Sequence, residues 1–129
     1  MKELRIGLVL YGGVALAVYI NGVVTEIWNA LRASRAVQDG ESGEFGGTAD
    51  VYRKILTELE TSSDAHGMRI VVDAVAGTSA GGVNGAALFK AVVDGADASL
   101  LNETWLNDAD ISKLKGQPDD PPWYWRTVD

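Results

Sequence analysis

The amino-acid sequence from residue 69 to residue 82 reads RIVVDAVAGTSAGG, and this stretch decides the fold that we predict. Residues 69–76 are rich in β-branched side chains and predict a buried strand. Residues 80–93 carry apolar side chains at helical spacing and predict a helix, which Gly95 would end. A strand that passes directly into a helix through GTSAG places Ser79 on a sharp turn.

A similar strand and turn lie near the start of the chain. Residues 4–10 read LRIGLVL and predict a buried strand, which stops at the YGG of residues 11–13. Apolar residues then recur at spacings of three and four, which predicts a helix over 15–33. The polar, glycine-rich residues 34–49 predict a loop, and a second helix is predicted over about 48–59.

The order strand, helix, helix, strand, helix is typical of an α/β fold. Helices that connect parallel strands cover both faces of their sheet, so we predict a three-layer α/β/α architecture with a parallel sheet as its core. Two strands are too few to bury both faces in a stable domain. We therefore predict that residues 1–129 are the N-terminal part of a single domain, truncated before it is complete. Shorter helices are predicted at 99–105 and 110–114, ahead of a tail that contains the WYW of residues 123–125.

Composition and charge exclude several classes of function. Hydrophobic residues make up 47% and charged residues 22% of the chain, which indicates a globular protein. The net charge of -7 argues against nucleic acid as a partner, because phosphates repel an acidic chain. The chain has no cysteine and a single histidine, His66, in a predicted turn, so we predict no disulfide, no metal site and no cofactor.

The apolar run near the N-terminus is not a predicted membrane span. It extends from Ile6 to Ile20, and Gly12 and Gly13 interrupt it, so it is too short and too broken to cross a bilayer as a helix. We predict a cytoplasmic chain that is at most peripheral to a membrane. The sequence predicts no oligomeric state.

Ser79 has the sequence surroundings of a nucleophilic serine. Gly77 and Gly81 flank it at the spacing Gly-x-Ser-x-Gly, which leaves no side chain to clash in a strained turn. Thr78 and Ala80 complete the predicted nucleophile elbow. The N-terminus of the following helix favours developing negative charge. We therefore predict Ser79 as the catalytic nucleophile, the alternative being a turn that only packs the helix closely on the strand.

The first strand is predicted to supply the oxyanion hole. If the two strands are neighbours in a parallel sheet, both turns reach the same edge. Backbone N–H groups of Gly12, Gly13 and Val14 would then face Ser79. The alternative is an ordinary turn between a strand and a helix.

No residue is a convincing general base. His66 precedes the second predicted strand and is expected at the opposite edge of the sheet, so a Ser-His-Asp triad is not predicted. Asp73 lies within the strand and is expected well below the edge. Four other aspartates are read more simply as solvated charges at helix ends or in loops: Asp94, Asp97, Asp108 and Asp110.

The paired motifs resemble those of the patatin-like phospholipases. In that family, a strand ending in Gly-Gly and a helix precede a strand that ends in Gly-Thr-Ser-Ala-Gly-Gly, here residues 77–82. Residues 11–23, YGGVALAVYINGV, are similar to the corresponding segment of a bacterial patatin-related subfamily. The resemblance covers about residues 4–115. It implies a patatin-like domain and a serine esterase or phospholipase that acts on a lipid or acyl ester.

The resemblance also implies roles for individual residues. Ser79 would attack the ester carbonyl while the amides of Gly12 and Gly13 hold the oxyanion. A downstream aspartate in Asp-Gly-Gly or Asp-Gly-Ala would act as the base of a Ser-Asp dyad. The only such motif after Ser79 begins at Asp94, on the helix that directly follows the turn, where it is expected to point away from the site. The catalytic aspartate is therefore predicted to be missing from this chain, which is expected to be inactive alone.

The chain departs from the usual patatin segment, Asp-Gly-Gly-Gly-x-Arg/Lys-Gly. Tyr11 replaces the aspartate, Val14 the third glycine, Leu16 the basic residue and Ala17 the last glycine. Loss of the basic residue removes support for a phospholipid headgroup contact but leaves the amides of the predicted oxyanion hole.

Two other functions remain open from the sequence. A non-catalytic module that binds a lipid or a protein is suggested by the aromatic residues 123–125, because apolar patches often mark contacts. A nucleotide-binding turn is disfavoured, because the chain lacks both the Gly-Lys-Ser/Thr of a P-loop and a clean Gly-x-Gly-x-x-Gly.

Overall fold

The computed structural model describes residues 2–62 and 67–95, together with Asn102 and Trp105. Its described part is a mixed α/β fold of two strands and three helices: β1 (Lys2–Leu10), α1 (Ala17–Asp39), α2 (Thr48–Thr61), β2 (Met68–Gly77) and α3 (Ala80–Asp94). A short 3-10 turn over Val14–Leu16 precedes α1. The predicted order of elements is therefore confirmed.

Several sequence predictions lie outside the described residues. They concern His66, Asp97, Asp108, Asp110, the helix at 110–114 and the aromatic tail at 123–125. Asn102 and Trp105 belong to the helix predicted over 99–105, and both have helical conformation.

The two strands form a parallel pair, as the sequence predicted. Lys2 pairs with Met68 at one end of the ladder and Leu10 with Gly77 at the other. The register shifts between Ile6 and Gly7, which leaves Asp73 as an extra residue on β2 and forms a β-bulge.

An ion pair fixes the bulge. Arg5 on β1 donates to both carboxylate oxygens of Asp73, with distances of 2.7 Å from Nε and 2.8 Å from Nη2. This bidentate geometry is the strong form of an arginine–carboxylate contact. The pair is solvent-exposed, so its contribution to stability is small.

The faces of the sheet differ because successive strand residues point to opposite sides. Leu8, Leu10 and Val75 face α1 and α3, which both pack on this side of the sheet. These helices contribute most of the apolar core: Ile20, Val24, Trp28, Leu88 and Ala91. The other face carries charged side chains toward its amino end: Glu3, Arg5, Arg69 and Asp73. The described residues thus form two layers, and the third layer of the predicted fold stays a prediction.

Helix α1 is longer than predicted, and the predicted loop over 34–49 is wrong for its first six residues. Ser34 and Ala36 are buried in the last turns of α1. The hydroxyl of Ser34 accepts a 2.9 Å hydrogen bond from the backbone N–H of Ile70 on β2, so this polar residue fits a helix that packs on the sheet. Gly40 ends α1 in the left-handed conformation, with φ 65°.

Candidate active site

The segments that leave the two strands meet at one edge of the sheet. Leu10 and Gly77, the last residues of β1 and β2, are paired partners. The N–H of Thr78 donates to the carbonyl oxygen of Leu10 at 3.1 Å, which extends the pairing by one residue. The two glycine-containing turns therefore lie side by side at the carboxyl edge, as the parallel strand order predicted.

Gly12 makes the closest approach between the turns. A Cβ atom on Gly12 would lie 2.8 Å from both Ala80 N and Gly81 N, and closer still to the carbonyl oxygen of Thr78. Real Cβ atoms essentially never come within 3.0 Å of such atoms, and these atoms belong to backbone that cannot rotate away. Gly13 differs, since nothing lies within 4 Å of the Cβ that it would carry. Position 12 thus requires glycine for space, whereas position 13 does not.

Ser79 has an unusual backbone conformation. Its φ of 52° and ψ of −128° make it the one non-glycine residue with positive φ among the described residues. Such a conformation costs about 1–3 kcal/mol and is concentrated at functional sites. The side chain is exposed, and within the described part of the chain its hydroxyl makes no hydrogen bond. The turn thus holds the Ser79 hydroxyl at the surface between the end of β2 and the start of α3.

Two glycines allow this turn to pack tightly. A Cβ on Gly77 would lie 2.6 Å from the backbone of Gly81. A Cβ on Gly81 would lie 2.7 Å from the carbonyl carbon of Leu10. Both residues predicted to flank the nucleophile therefore lie in backbone-to-backbone contacts that exclude larger side chains.

The amides around the turn are partly engaged. At the start of α3, the N–H groups of Gly81 and Gly82 both donate to the carbonyl oxygen of Thr78, at 2.9 and 3.3 Å. The N–H of Gly12 donates to the hydroxyl oxygen of Thr78 at 3.3 Å. The N–H of Gly13 has no acceptor within the described ranges. Of the amides predicted for the oxyanion hole, that of Gly12 therefore already donates to Thr78. The N–H of Gly13 is the one of these two that has no acceptor among the described residues.

The described carboxylates of the predicted set lie away from Ser79. Asp73 is four residues before the end of β2, about 13 Å along the strand. The hydrogen bond from Arg5 holds the pKa of the Asp73 carboxyl below its ordinary value, so it stays ionised and paired. Asp94 ends α3, about 21 Å along the helix from the turn, and pairs with Lys90 at 2.5 Å. Neither carboxylate is positioned to act as the base for Ser79.

A buried amide network lies one turn into α3, and the sequence analysis missed it. Asn84 is fully buried, and its Oδ1 accepts hydrogen bonds from Asn21 on α1 and from the indole N–H of Trp105. The available signal was an asparagine on each of two apolar helix faces, at positions 21 and 84. Neither asparagine belongs to a motif, so only the packing of α1 on α3 reveals the pair.

Three large apolar side chains of the first turn and the following segment are exposed. Tyr11 is 77% exposed and Tyr19 is 72% exposed, and Leu16 lies exposed between them in sequence. Residues 6–25 contain no charged side chain. The first turn and the start of α1 therefore carry exposed apolar side chains in a segment that has no charge of its own.

Comparison with known proteins gives one distant likeness. No model of a known protein family and no solved structure matches the chain. A Mycobacterium tuberculosis protein, named as an uncharacterized membrane protein, is 29% identical over 127 residues. The match covers 92% of this chain but 11% of that protein, so the chain spans about a ninth of its relative's length. Across residues 2–62 and 67–95, no helix combines the length and the apolar character that crossing a membrane requires.

Proposed function

We propose that this chain carries the nucleophile of a serine acyl hydrolase of the patatin-like type, with Ser79 as the attacking residue. The observation that carries the proposal is the backbone of Ser79. A non-glycine residue with φ 52° stands between a strand and a helix and presents an exposed hydroxyl beside the Gly12–Gly13 turn. In a nucleophile elbow, a serine in a strained backbone conformation lies on a turn between a strand and a helix.

The reaction follows from the groups around Ser79. Its Oγ attacks the carbonyl carbon of an ester, a base takes the hydroxyl proton, and the carbonyl oxygen becomes an oxyanion. The N–H of Gly13, which has no acceptor among the described residues, binds that oxyanion with Val14 beside it, and the N-terminus of α3 favours the negative charge. The alcohol then leaves with a proton, and water hydrolyses the acyl-enzyme.

The proposed base comes from outside the described residues. The patatin resemblance implies an aspartate in a Ser-Asp dyad, and neither Asp73 nor Asp94 has the position to serve. The proposed full domain adds strands and a third layer beside β1 and β2, and one of these segments carries the aspartate. The exposed side chains of Tyr11, Leu16 and Tyr19, in a segment without charged residues, support a lipid or acyl-ester substrate, met at a membrane surface in the cytoplasm.

Labelling and hydrolysis test this proposal together. The protein made from the complete reading frame is treated with a fluorophosphonate probe and assayed with p-nitrophenyl butyrate. We expect one labelled serine, Ser79, and loss of both labelling and hydrolysis in Ser79→Ala. Ser42→Ala is the matched control, because Ser42 is also exposed but lies in the loop before α2. Equal hydrolysis by wild type and Ser79→Ala would eliminate the proposal.

A second candidate is binding without catalysis. It is favoured by the engaged N–H of Gly12 and by the lack of a base beside Ser79 among the described residues. Such a protein would bind neutral lipid vesicles without hydrolysing esters. Flotation with phosphatidylcholine vesicles distinguishes the candidates: equal flotation of wild type and Ser79→Ala, with no labelling of either, favours binding alone.

A further inference from the structure

We propose that Asn84 is a positioning residue for the acyl-transfer reaction, a role that rests on the proposed function of Ser79. Its side-chain amide holds α3, the helix that begins directly after Ser79, against α1, the helix that follows the Gly12–Gly13 turn. The amide thereby fixes the separation between the nucleophile and the amides that would bind the oxyanion.

The amide of Asn84 uses its full hydrogen-bonding capacity while completely buried. Its Oδ1 accepts from Asn21 Nδ2 at 3.0 Å and from Trp105 Nε1 at 3.1 Å. Its Nδ2 donates to the carbonyl oxygen of Ala80 at 2.9 Å and makes a longer contact of 3.5 Å with that of Ala17. An asparagine side chain has two acceptor sites and two donors, and all four are directed to partners here.

The partners of Asn84 connect the two halves of the candidate site. Ala80 directly follows Ser79 and is the first residue of α3, so the bond from Asn84 to its carbonyl lies within α3 and orients the amide at the end of the turn. Ala17 is the first residue of α1, and Asn21 lies one turn further along the same helix. A shift of α3 relative to α1 would therefore break at least one of these bonds.

Hydrogen bonds fix this separation more sharply than apolar packing would. Apolar surfaces can slide by fractions of an ångström at little cost, whereas buried amide bonds lose strength when length or angle changes. A misplacement of about 1 Å at a reacting group lowers a rate on the order of 100-fold. The network is thus placed to control turnover more than substrate binding.

Ser34 supplies a matched comparison at the other end of α1. It is as buried as Asn84, and its hydroxyl also joins α1 to a second element, through the N–H of Ile70. Ile70 lies at the amino end of β2, at the opposite edge of the sheet from Ser79. Loss of Ser34 should therefore weaken folding without moving the turn.

The experiment measures turnover and stability in the same variants. The protein from the complete reading frame is prepared as wild type, Asn84→Leu, Asn21→Ala and Ser34→Ala. We measure kcat and KM for p-nitrophenyl butyrate, the rate of fluorophosphonate labelling, and the thermal unfolding midpoint. Asn84→Leu keeps the branching and the number of side-chain heavy atoms and removes every hydrogen bond of the amide, and Asn21→Ala removes one donor.

A positioning role predicts a separation between kcat and KM. Asn84→Leu should lower kcat on the order of 100-fold with KM within about twofold of wild type. Asn21→Ala should lower kcat roughly two- to twelvefold, the range for one net hydrogen bond. Ser34→Ala should lower the unfolding midpoint and keep kcat within about twofold of wild type. Labelling rates should fall in the same order as kcat.

Three outcomes would overturn the inference. Asn84→Leu with wild-type kcat at a temperature where it is folded removes the positioning role and leaves Ser79 as the nucleophile. If Asn84→Leu does not fold, the Asn21→Ala variant decides. A wild-type kcat in Asn21→Ala removes the positioning role of Asn84, and a two- to twelvefold lower kcat supports it. If Ser79→Ala hydrolyses as fast as wild type, the proposed function fails and the positioning role fails with it.

Discussion

Replacing Gly12 with alanine tests the close approach of the two turns directly. The added Cβ would lie 2.8 Å from Ala80 N and Gly81 N, inside the 3.0 Å limit that real Cβ atoms keep. It would approach the carbonyl oxygen of Thr78 more closely still. The turns must separate by roughly 1 Å before ordinary contact distances return. Because all three neighbouring atoms are backbone, no side-chain rotation relieves the clash, and we expect Gly12→Ala to lose about 1–3 kcal/mol of unfolding free energy.

The neighbouring glycine is the matched control for this substitution. A Cβ on Gly13 meets nothing within 4 Å, and Gly13 does not have positive φ. We expect Gly13→Ala to remain within about 0.5 kcal/mol of wild type. Urea unfolding followed by circular dichroism compares the two variants with the wild type. The reasoning is refuted if Gly12→Ala and Gly13→Ala have the same unfolding free energy.

The same pair also bears on the proposed chemistry. Separation of the turns by roughly 1 Å moves the oxyanion amides away from Ser79, so Gly12→Ala should lose ester hydrolysis on the order of 100-fold where it is still folded. Fluorophosphonate labelling of Ser79 gives a readout that does not depend on product release. Wild-type labelling by a folded Gly12→Ala variant would show that the position of the Gly12 turn does not affect the serine.

Two further predictions concern the backbone at Ser79 and the ion pair at the bulge. Ser79→Gly should raise the unfolding free energy by about 1 kcal/mol, because glycine adopts positive φ without strain. The same substitution should abolish fluorophosphonate labelling. A lower unfolding free energy than wild type, measured by urea unfolding, would contradict the inferred strain at Ser79. Asp73 has a folded-state pKa below its unfolded value of about 3.9, so the stability from its pair with Arg5 is present above that pH and is lost as pH falls through the folded pKa. The unfolding free energy of Asp73→Asn should therefore fall less than that of the wild type between pH 5 and pH 2. Urea unfolding at each pH measures this difference, and the same dependence of unfolding free energy on pH in both proteins would contradict the pairing.

Residues that end a strand or helix explain which elements could be predicted from the sequence. The predicted strand 69–76 and helix 80–93 each differ from β2 and α3 by one residue at most at either end. Gly77 is the last residue of β2 and Gly95 ends α3, so a glycine in the local sequence marks the end of each element. The parallel pairing followed from the alternation of strands and helices.

The features that were missed depend on contacts between distant segments. Ser34 looked like the start of a polar loop, but the N–H of Ile70 on β2 satisfies its hydroxyl and allows α1 to continue. Asp73 looked like an ordinary strand residue, and only the paired register shows that it forms a bulge. Asn84 lies in no motif, and its partners are 63 and 21 residues away in sequence. No local pattern carries such information.

The strain at Ser79 and the tight packing around it are parts of one arrangement. A positive φ at a non-glycine residue persists only when neighbouring contacts hold it, and here both contacts are with the last residue of β1: Thr78 N bonds to Leu10 O, and Gly81 packs on the backbone of Leu10. If the turn served only to connect β2 to α3, glycine at position 79 would remove the strain at no cost in packing. The presence of an exposed serine at the one strained non-glycine position of the described chain therefore argues for a use of its hydroxyl, and acyl transfer beside the Gly13 amide is the use that we propose.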